Sequence, residues 1–229
     1  MKRLLKHLDV IALALVPLVL AVFAFLGSSQ TAILSLVVVF AALLMFFAHY
    51  EASKPALRQI MPTAVLSALA AAGRILFAAI PNFKPVTALC IISGVVFGKR
   101  AGFMVGALAA LVSNFFFGQG PWTPWQMYAW GMVGYLAGVF ASHGLFNKRA
   151  VIYIFGFFSA LLYGFVLNTW FIIGFVNPIT WQSVAIAYGA SLVFDSIHGA
   201  ATVAFLLIIF APWQRKLERI KRKYELDGA

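Results

Sequence analysis

A chain of 229 residues that is 63% hydrophobic and 10% charged, with a mean hydropathy of +0.97, lacks the polar surface of a water-soluble globule. It is expected to be one all-α integral membrane unit, too short to add a soluble catalytic domain. The net charge of +11 would suggest nucleic acid in a soluble protein, but the basic residues fall between apolar runs and read as membrane topology instead.

In chain order the long apolar runs are Leu8–Leu26, Thr31–Ala48, Ile60–Ile80, Val86–Phe97, Ala101–Phe117, Trp125–Ala141, Ala150–Val176 and Gln182–Phe210, each read as a transmembrane helix. Val86–Phe97 falls short of the ~20 residues a perpendicular span needs, so it is either extended by its flanks or partly buried in the bundle. Met1–Leu26 also has the basic start and apolar stretch of a signal peptide. The poor cleavage site at Gly27-Ser28-Ser29 favours a retained span.

A cytoplasmic N-terminus puts Lys2, Arg3, Lys6, Lys54, Arg58, Lys99, Arg100, Lys148, Arg149 and the basic residues from Arg215 to Lys223 inside. Lys84 is then outside and Arg74 lies within a span, with both termini cytoplasmic. The basic runs need no nucleic acid to explain them, and contact with anionic membrane lipid is a natural by-product. The lone cysteine, Cys90, lies in an apolar run and reads as packing, which excludes an internal disulfide and a cysteine metal site.

The outer loops carry the chemistry. Pro81-Asn82-Phe83-Lys84-Pro85 is followed by Asn114 through Tyr128, a stretch with Gln119, Trp122, Trp125 and Gln126 among prolines and glycines, and later by Asn177 through Gln182. Aromatic faces and amides on a backbone fixed by proline and glycine suit a flat, heteroatom-rich small molecule. Trp122, Trp125, Tyr128 and Trp130 would equally form an interfacial aromatic belt, and the residues alone leave both readings open.

Arg74, Asp195 and His198 lie at membrane depth, where ionisable groups face the bundle interior or a wet cavity. Asp195 and His198, three residues apart, share a helix face, and the expected arrangement is an Arg74–Asp195 pair closing the floor of an outward pocket, either as a helix tether or as a ligand contact. Ala64, Ala68 and Ala72 recur every four residues and form a smooth stripe for another helix, in this bundle or in a partner.

The chain has no GxxxxGK[ST] phosphate loop, no HExxH and no GxSxG. With six acidic residues, of which only Asp195 is deep in a span, an enzyme is not expected. The four histidines, His7, His49, His143 and His198, are scattered, so neither a metal nor another cofactor is expected.

The residues Gly73-Arg74, Pro81 to Leu89, Gly94-Val95-Val96-Phe97-Gly98-Lys99-Arg100-Ala101-Gly102-Phe103, Gly118 to Gln126 and Phe194-Asp195-Ser196-Ile197-His198-Gly199 together resemble the substrate-binding S component of energy-coupling factor (ECF) vitamin transporters. The likeness covers roughly residues 60 to 212. It implies a six-helix core preceded by two extra transmembrane helices: an N-terminal pair in residues 1–58, a membrane core in 59–212 and a basic cytoplasmic tail in 213–229. The resemblance gives the extra pair no role, and lipid-facing additions are the expectation.

The resemblance further implies high-affinity capture of a vitamin at the outer face of a bacterial cell membrane, and delivery by toppling on a membrane coupling protein with two cytoplasmic ATPases. It supplies a partner for the alanine stripe, since S components carry an AxxxA motif that packs on the coupling protein; Ala64–Ala68 and Ala68–Ala72 both match. Arg74, Asn82, Asn114, Gln119, Trp122, Trp125, Gln126, Tyr128, Asp195 and His198 are the candidate substrate-binding residues. The long tryptophan-rich loop inclines the substrate toward cobalamin among the vitamins of the family. The competing readings are a membrane scaffold or assembly subunit, and an ion-coupled secondary transporter, for which internal repeats and intramembrane acids are wanting.

Overall fold

The computed structural model describes residues 31–52 and 57–224, together with residues 11, 14, 16 and 18. The predicted span Leu8–Leu26, its retention or cleavage, and Lys2, Arg3, Lys6 and Lys54 on the flanking segments therefore lie outside the described residues, apart from those four positions.

Among the described residues from 31 onward, seven α-helices follow one another: α1 (Thr31–Ala52), α2 (Leu57–Leu76), α3 (Val86–Phe97), α4 (Lys99–Phe117), α5 (Thr123–Ser142), α6 (Arg149–Phe175) and α7 (Trp181–Lys223), with a short 3-10 turn at Leu145–Asn147. No strand occurs among the described residues. This is the expected all-α membrane architecture, because a helix satisfies its backbone polar groups internally where no water is available. By length and composition α2, α4, α6 and α7 are long and apolar enough to cross a bilayer.

The short apolar run is helical over its whole expected length, and α3 is the most enclosed element of the bundle. Every residue from Val86 to Gly94 is buried, and the helix touches α2, α4, α5, α6 and α7. A helix surrounded by protein has no need of the length that a lipid-facing span requires. Pro85 precedes its first turn, and Gly98, at φ 90°, ends it and admits the immediate start of α4.

The packing of α3, α4 and α5 depends on missing side chains. A Cβ at Gly94 or Gly102 would run into the backbone of Gly134, and one at Gly134 would run into the backbone of Gly102. Three helices approach here at main-chain distance, the close contact that small residues permit in membranes. Hydroxyls in these helices fold back on their own carbonyls: Ser93 donates to Leu89 at 2.7 Å and Ser113 to Ala109 at 2.7 Å.

The expectation that the extra helices are lipid-facing additions fails for α1. Val39, Ala42, Leu43 and Phe46, spaced along one face, are buried, and Phe46 stacks on Phe103 of α4 at 3.7 Å and meets Tyr135 of α5 edge-on at 5.6 Å. Val37, Phe40 and Leu44 point outward. The sequence hid this because both faces of α1 are apolar, and periodicity marks a buried face only when the other is polar.

Helix α7 opens with a reciprocal cap, in which the Thr180 side chain accepts from the Ser183 amide at 3.2 Å and the Ser183 hydroxyl accepts from the Thr180 amide at 2.9 Å. It then runs through Pro212 and the basic segment to Lys223, thirteen residues past the apolar run that ends at Phe210. Antiparallel to it, α2 turns Thr63, Leu66, Ser67, Ala70 and Ala71 into the bundle and leaves Ala64, Ala68 and Ala72 on its exposed face.

Candidate functional site: a polar and aromatic cluster around Arg74

Arg74 sits in the last turn of α2 and reaches across to α4. Its Nη1 donates to Ser113 Oγ at 2.7 Å and to Asn114 Oδ1 at 2.6 Å, and its guanidinium carbon lies 4.5 Å from the centre of the Phe117 ring and 5.0 Å from Trp130. Neutral acceptors and aromatic faces thus surround the cation, and it forms no ion pair among the described residues.

Asn114, fully buried, distributes this anchor. Its Nδ2 donates to Thr123 Oγ1 at 2.9 Å and to Gln126 Oε1 at 2.8 Å, both in the first turn of α5. Thr123 in turn donates to Gln119 Oε1 at 3.0 Å, while Gln119 Nε2 donates to the Leu111 carbonyl at 2.9 Å. The amides at 114, 119 and 126 therefore form one chain that fastens the α4–α5 loop beside Arg74.

Below lies an aromatic floor. Trp130 and Tyr163 stack with centroids 4.4 Å apart, and Tyr163 meets His198 edge-on at 5.3 Å. Trp130 Nε1 donates to Thr87 Oγ1 at 3.0 Å, and that hydroxyl also pairs with His198 Nε2 at 2.8 Å, so α3, α5 and α7 meet in one buried polar knot. A second set joins α6 to α7, where Asn168 Nδ2 donates to Ser191 Oγ at 2.7 Å and to Asp195 Oδ2 at 3.3 Å, and Ser191 donates to Asp195 at 3.0 Å.

The expected Arg74–Asp195 pair is absent. Asp195 is held by Asn168 and Ser191, and Arg74 by Ser113 and Asn114. Sequence depth leaves a gap of about 10 Å between the two at ~1.5 Å per residue, which a long arginine covers only in part. Each group is instead held by other partners, Arg74 by α4 and Asp195 by α6 and by Ser191 one turn earlier on its own helix. His198 likewise turns to Thr87 rather than to Asp195, although the two share a helix.

Of the other sequence candidates, Gln126 joins the cluster, and Trp122 lies half-buried with its edge toward Trp170 at 6.3 Å. Trp125 and Tyr128 are core residues, 0% and 1% exposed, so neither belongs to a membrane-interface belt nor lines an open surface. Asn82 shapes the α2–α3 loop through a left-handed φ of 54°. In the same loop Lys84 donates to the carbonyls of Phe77, Ala78 and Ile80 and closes the end of α2; burial, then the nearby charge of Arg74, pushes its ammonium below the usual lysine range.

Thr87, Ser113, Thr123, Tyr163, Asn168 and Ser191 were not singled out from the sequence. Asn168 was open to discovery, since an amide in a long apolar run must find a partner; a serine or threonine in such a run gives no comparable signal, because it can bond its own helix. No three His, Cys, Asp or Glu side chains come together as a metal site among the described residues.

The arrangement offers a fixed cation, three amides and stacked rings, groups that recognise a planar heterocycle bearing carbonyl and ring-nitrogen acceptors. Comparison with curated proteins and with solved structures returns no match. The family model described as ECF-type riboflavin transporter, S component, matches residues 54–213, a stretch that holds every residue of the cluster and leaves α1 outside it. The chain therefore belongs to the S components of energy-coupling factor transporters, multi-pass membrane proteins that capture a vitamin for an ECF complex.

Proposed function

We propose that the chain captures riboflavin, or a flavin with the same ring system, at the outer face of a bacterial plasma membrane, with both termini cytoplasmic. The observation that carries the reading is the cluster of Arg74, the amides and the Trp130–Tyr163 stack within a stretch matched by a family whose description names riboflavin. Isoalloxazine is flat, with two carbonyl oxygens and ring nitrogens on one edge. An aromatic face stacks on such a ring, while the guanidinium and amides address its polar edge. In the present structure these polar groups bond one another, and the ligand would take over part of those bonds. Asn168, Ser191 and Asp195 stand one helix further on as partners for the hydroxylated side chain.

The inclination toward cobalamin rested on a tryptophan-rich loop opening outward. That support is weakened by the complete burial of Trp125. Delivery would proceed on a membrane coupling protein with two cytoplasmic ATPases, since the chain has no phosphate loop of its own. Ala64, Ala68 and Ala72 are the proposed docking stripe, and their exposure on α2 supports it. ATP-dependent accumulation of riboflavin in vesicles holding this chain with its coupling complex tests the reading. Uptake of cobalamin but not riboflavin would overturn the substrate, and uptake of neither by the assembled complex would overturn vitamin delivery.

A further inference from the structure

Thr87 stands second in α3, the most enclosed helix, and is itself fully buried. A hydroxyl has one proton to give and two lone pairs to offer. Other hydroxyls of the bundle give the proton to their own helix: Ser93, Ser113 and Thr202 donate to the carbonyls of Leu89, Ala109 and His198, each four residues earlier. Thr87 makes no such bond among the described residues. Its Oγ1 lies 3.0 Å from Trp130 Nε1 on α5 and 2.8 Å from His198 Nε2 on α7. An indole N–H can only donate, so Trp130 takes one lone pair of Thr87. The hydroxyl proton then has a single acceptor among its partners, His198 Nε2.

We infer that Thr87 is a positioning residue of the ligand site: its one hydroxyl fixes the Trp130 ring and holds His198 as the neutral tautomer protonated on Nδ1, which leaves that N–H to donate to an acceptor on the ligand. His198 is 7% exposed, and its Nδ1 has no hydrogen-bond partner among the described residues. Nor is Nδ1 fully enclosed, as the unpartnered Trp125 Nε1 and Ser159 Oγ are, so the remaining exposure of the residue includes this edge of the ring. The imidazole meets Tyr163 edge-on, and Tyr163 stacks on Trp130, so the free N–H belongs to the aromatic floor. A neutral donor beside a stacking surface selects a flat ligand with an acceptor at its rim and disfavours one that brings another N–H there, because two donors would then face each other unpaired. The choice of ligand rests on the flavin reading, whereas the tautomer is a property of the chain alone.

Nitrogen NMR of the full chain, isotopically labelled at histidine and solubilised in detergent, distinguishes the two ring nitrogens, and His198→Asn identifies the signal by its loss. The wild type is expected to show a protonated Nδ1 and an unprotonated Nε2 at His198. Thr87→Ser should keep that pattern, and Thr87→Val, with no hydroxyl proton to give, should lose it. In riboflavin titrations His198→Asn, whose amide N–H takes the place of Nδ1–H, should stay within about threefold of the wild type, whereas His198→Gln, whose amide reaches the Nε2 position, should bind about tenfold more weakly, the scale of one neutral hydrogen bond. A protonated Nε2 in the wild type, or a tautomer unchanged by Thr87→Val, would overturn the role of Thr87. Wild-type affinity in His198→Gln would overturn the contact with the ligand. A wild type that binds no riboflavin but shows the expected tautomer would overturn the flavin reading and leave Thr87 in its role.

Discussion

Replacing Asn114 with leucine removes the centre of the outer cluster while changing side-chain volume little. Asn114 is fully buried and makes three hydrogen bonds, at 2.6 Å from Arg74, 2.9 Å to Thr123 and 2.8 Å to Gln126. A bond to a charged group contributes about 1.5–3 kcal/mol and a neutral one about 0.5–1.5 kcal/mol. Arg74 retains Ser113 and Thr123 retains Gln119, so the loss should fall near ~3 kcal/mol, at the low end of the sum. For a chain of this size that corresponds to an apparent melting temperature lower by roughly 6–12 °C. Riboflavin affinity should fall about tenfold or more, because each ~1.4 kcal/mol is a factor of ten and Arg74 loses its strongest fixed acceptor. Thermal unfolding of the detergent-solubilised protein, with and without riboflavin, reads both quantities. Asn114→Asp, which keeps an acceptor for Arg74 but cannot donate to Thr123 or Gln126, should give an intermediate effect. Wild-type melting and wild-type affinity in Asn114→Leu would refute the cluster as the organiser of the site.

The docking stripe predicts that Ala68→Trp or Ala72→Trp abolishes ATP-dependent uptake by the assembled complex while the isolated chain binds its ligand as before; loss of both would contradict docking. Phe46→Ala removes a ring stacked on Phe103 and should cost about 3–5 kcal/mol of stability with ligand affinity unchanged, which unfolding and titration would separate. Gly134→Leu puts a side chain where the Gly102 backbone already lies, and should prevent accumulation of folded protein in the membrane, seen as loss of the monodisperse peak after solubilisation.

The apolar runs made the helices legible, and α3 formed over the residues expected of it, because bilayer thickness and backbone hydrogen bonding leave helices as the main solution. Which face of a helix is buried was much less legible. Phe40 and Phe46 of α1 look alike in the sequence, yet one points outward and the other stacks in the core. Arg74, Asp195 and His198, the ionisable residues at depth, each have a polar partner in the bundle, as such groups require there. Their partners could not be read from depth. Arg74 found Ser113 and Asn114 on α4, and His198 found Thr87 on α3, through lateral helix neighbours that one-dimensional spacing does not contain. Trp125 shows the same limit: in the loop-proximal turn of α5, helix rotation decides whether a ring faces outward or inward, and Trp125 is fully buried.

The central claim is tested most directly by titrating the purified full-length chain with riboflavin and following flavin fluorescence, with cobalamin and thiamine as competitors. Stacking on Trp130 and Tyr163 should quench the flavin in a saturable, submicromolar transition that the other vitamins do not displace and that Trp130→Ala weakens. An unquenched flavin across the titration, or displacement of bound flavin by cobalamin, would contradict capture of riboflavin at this cluster.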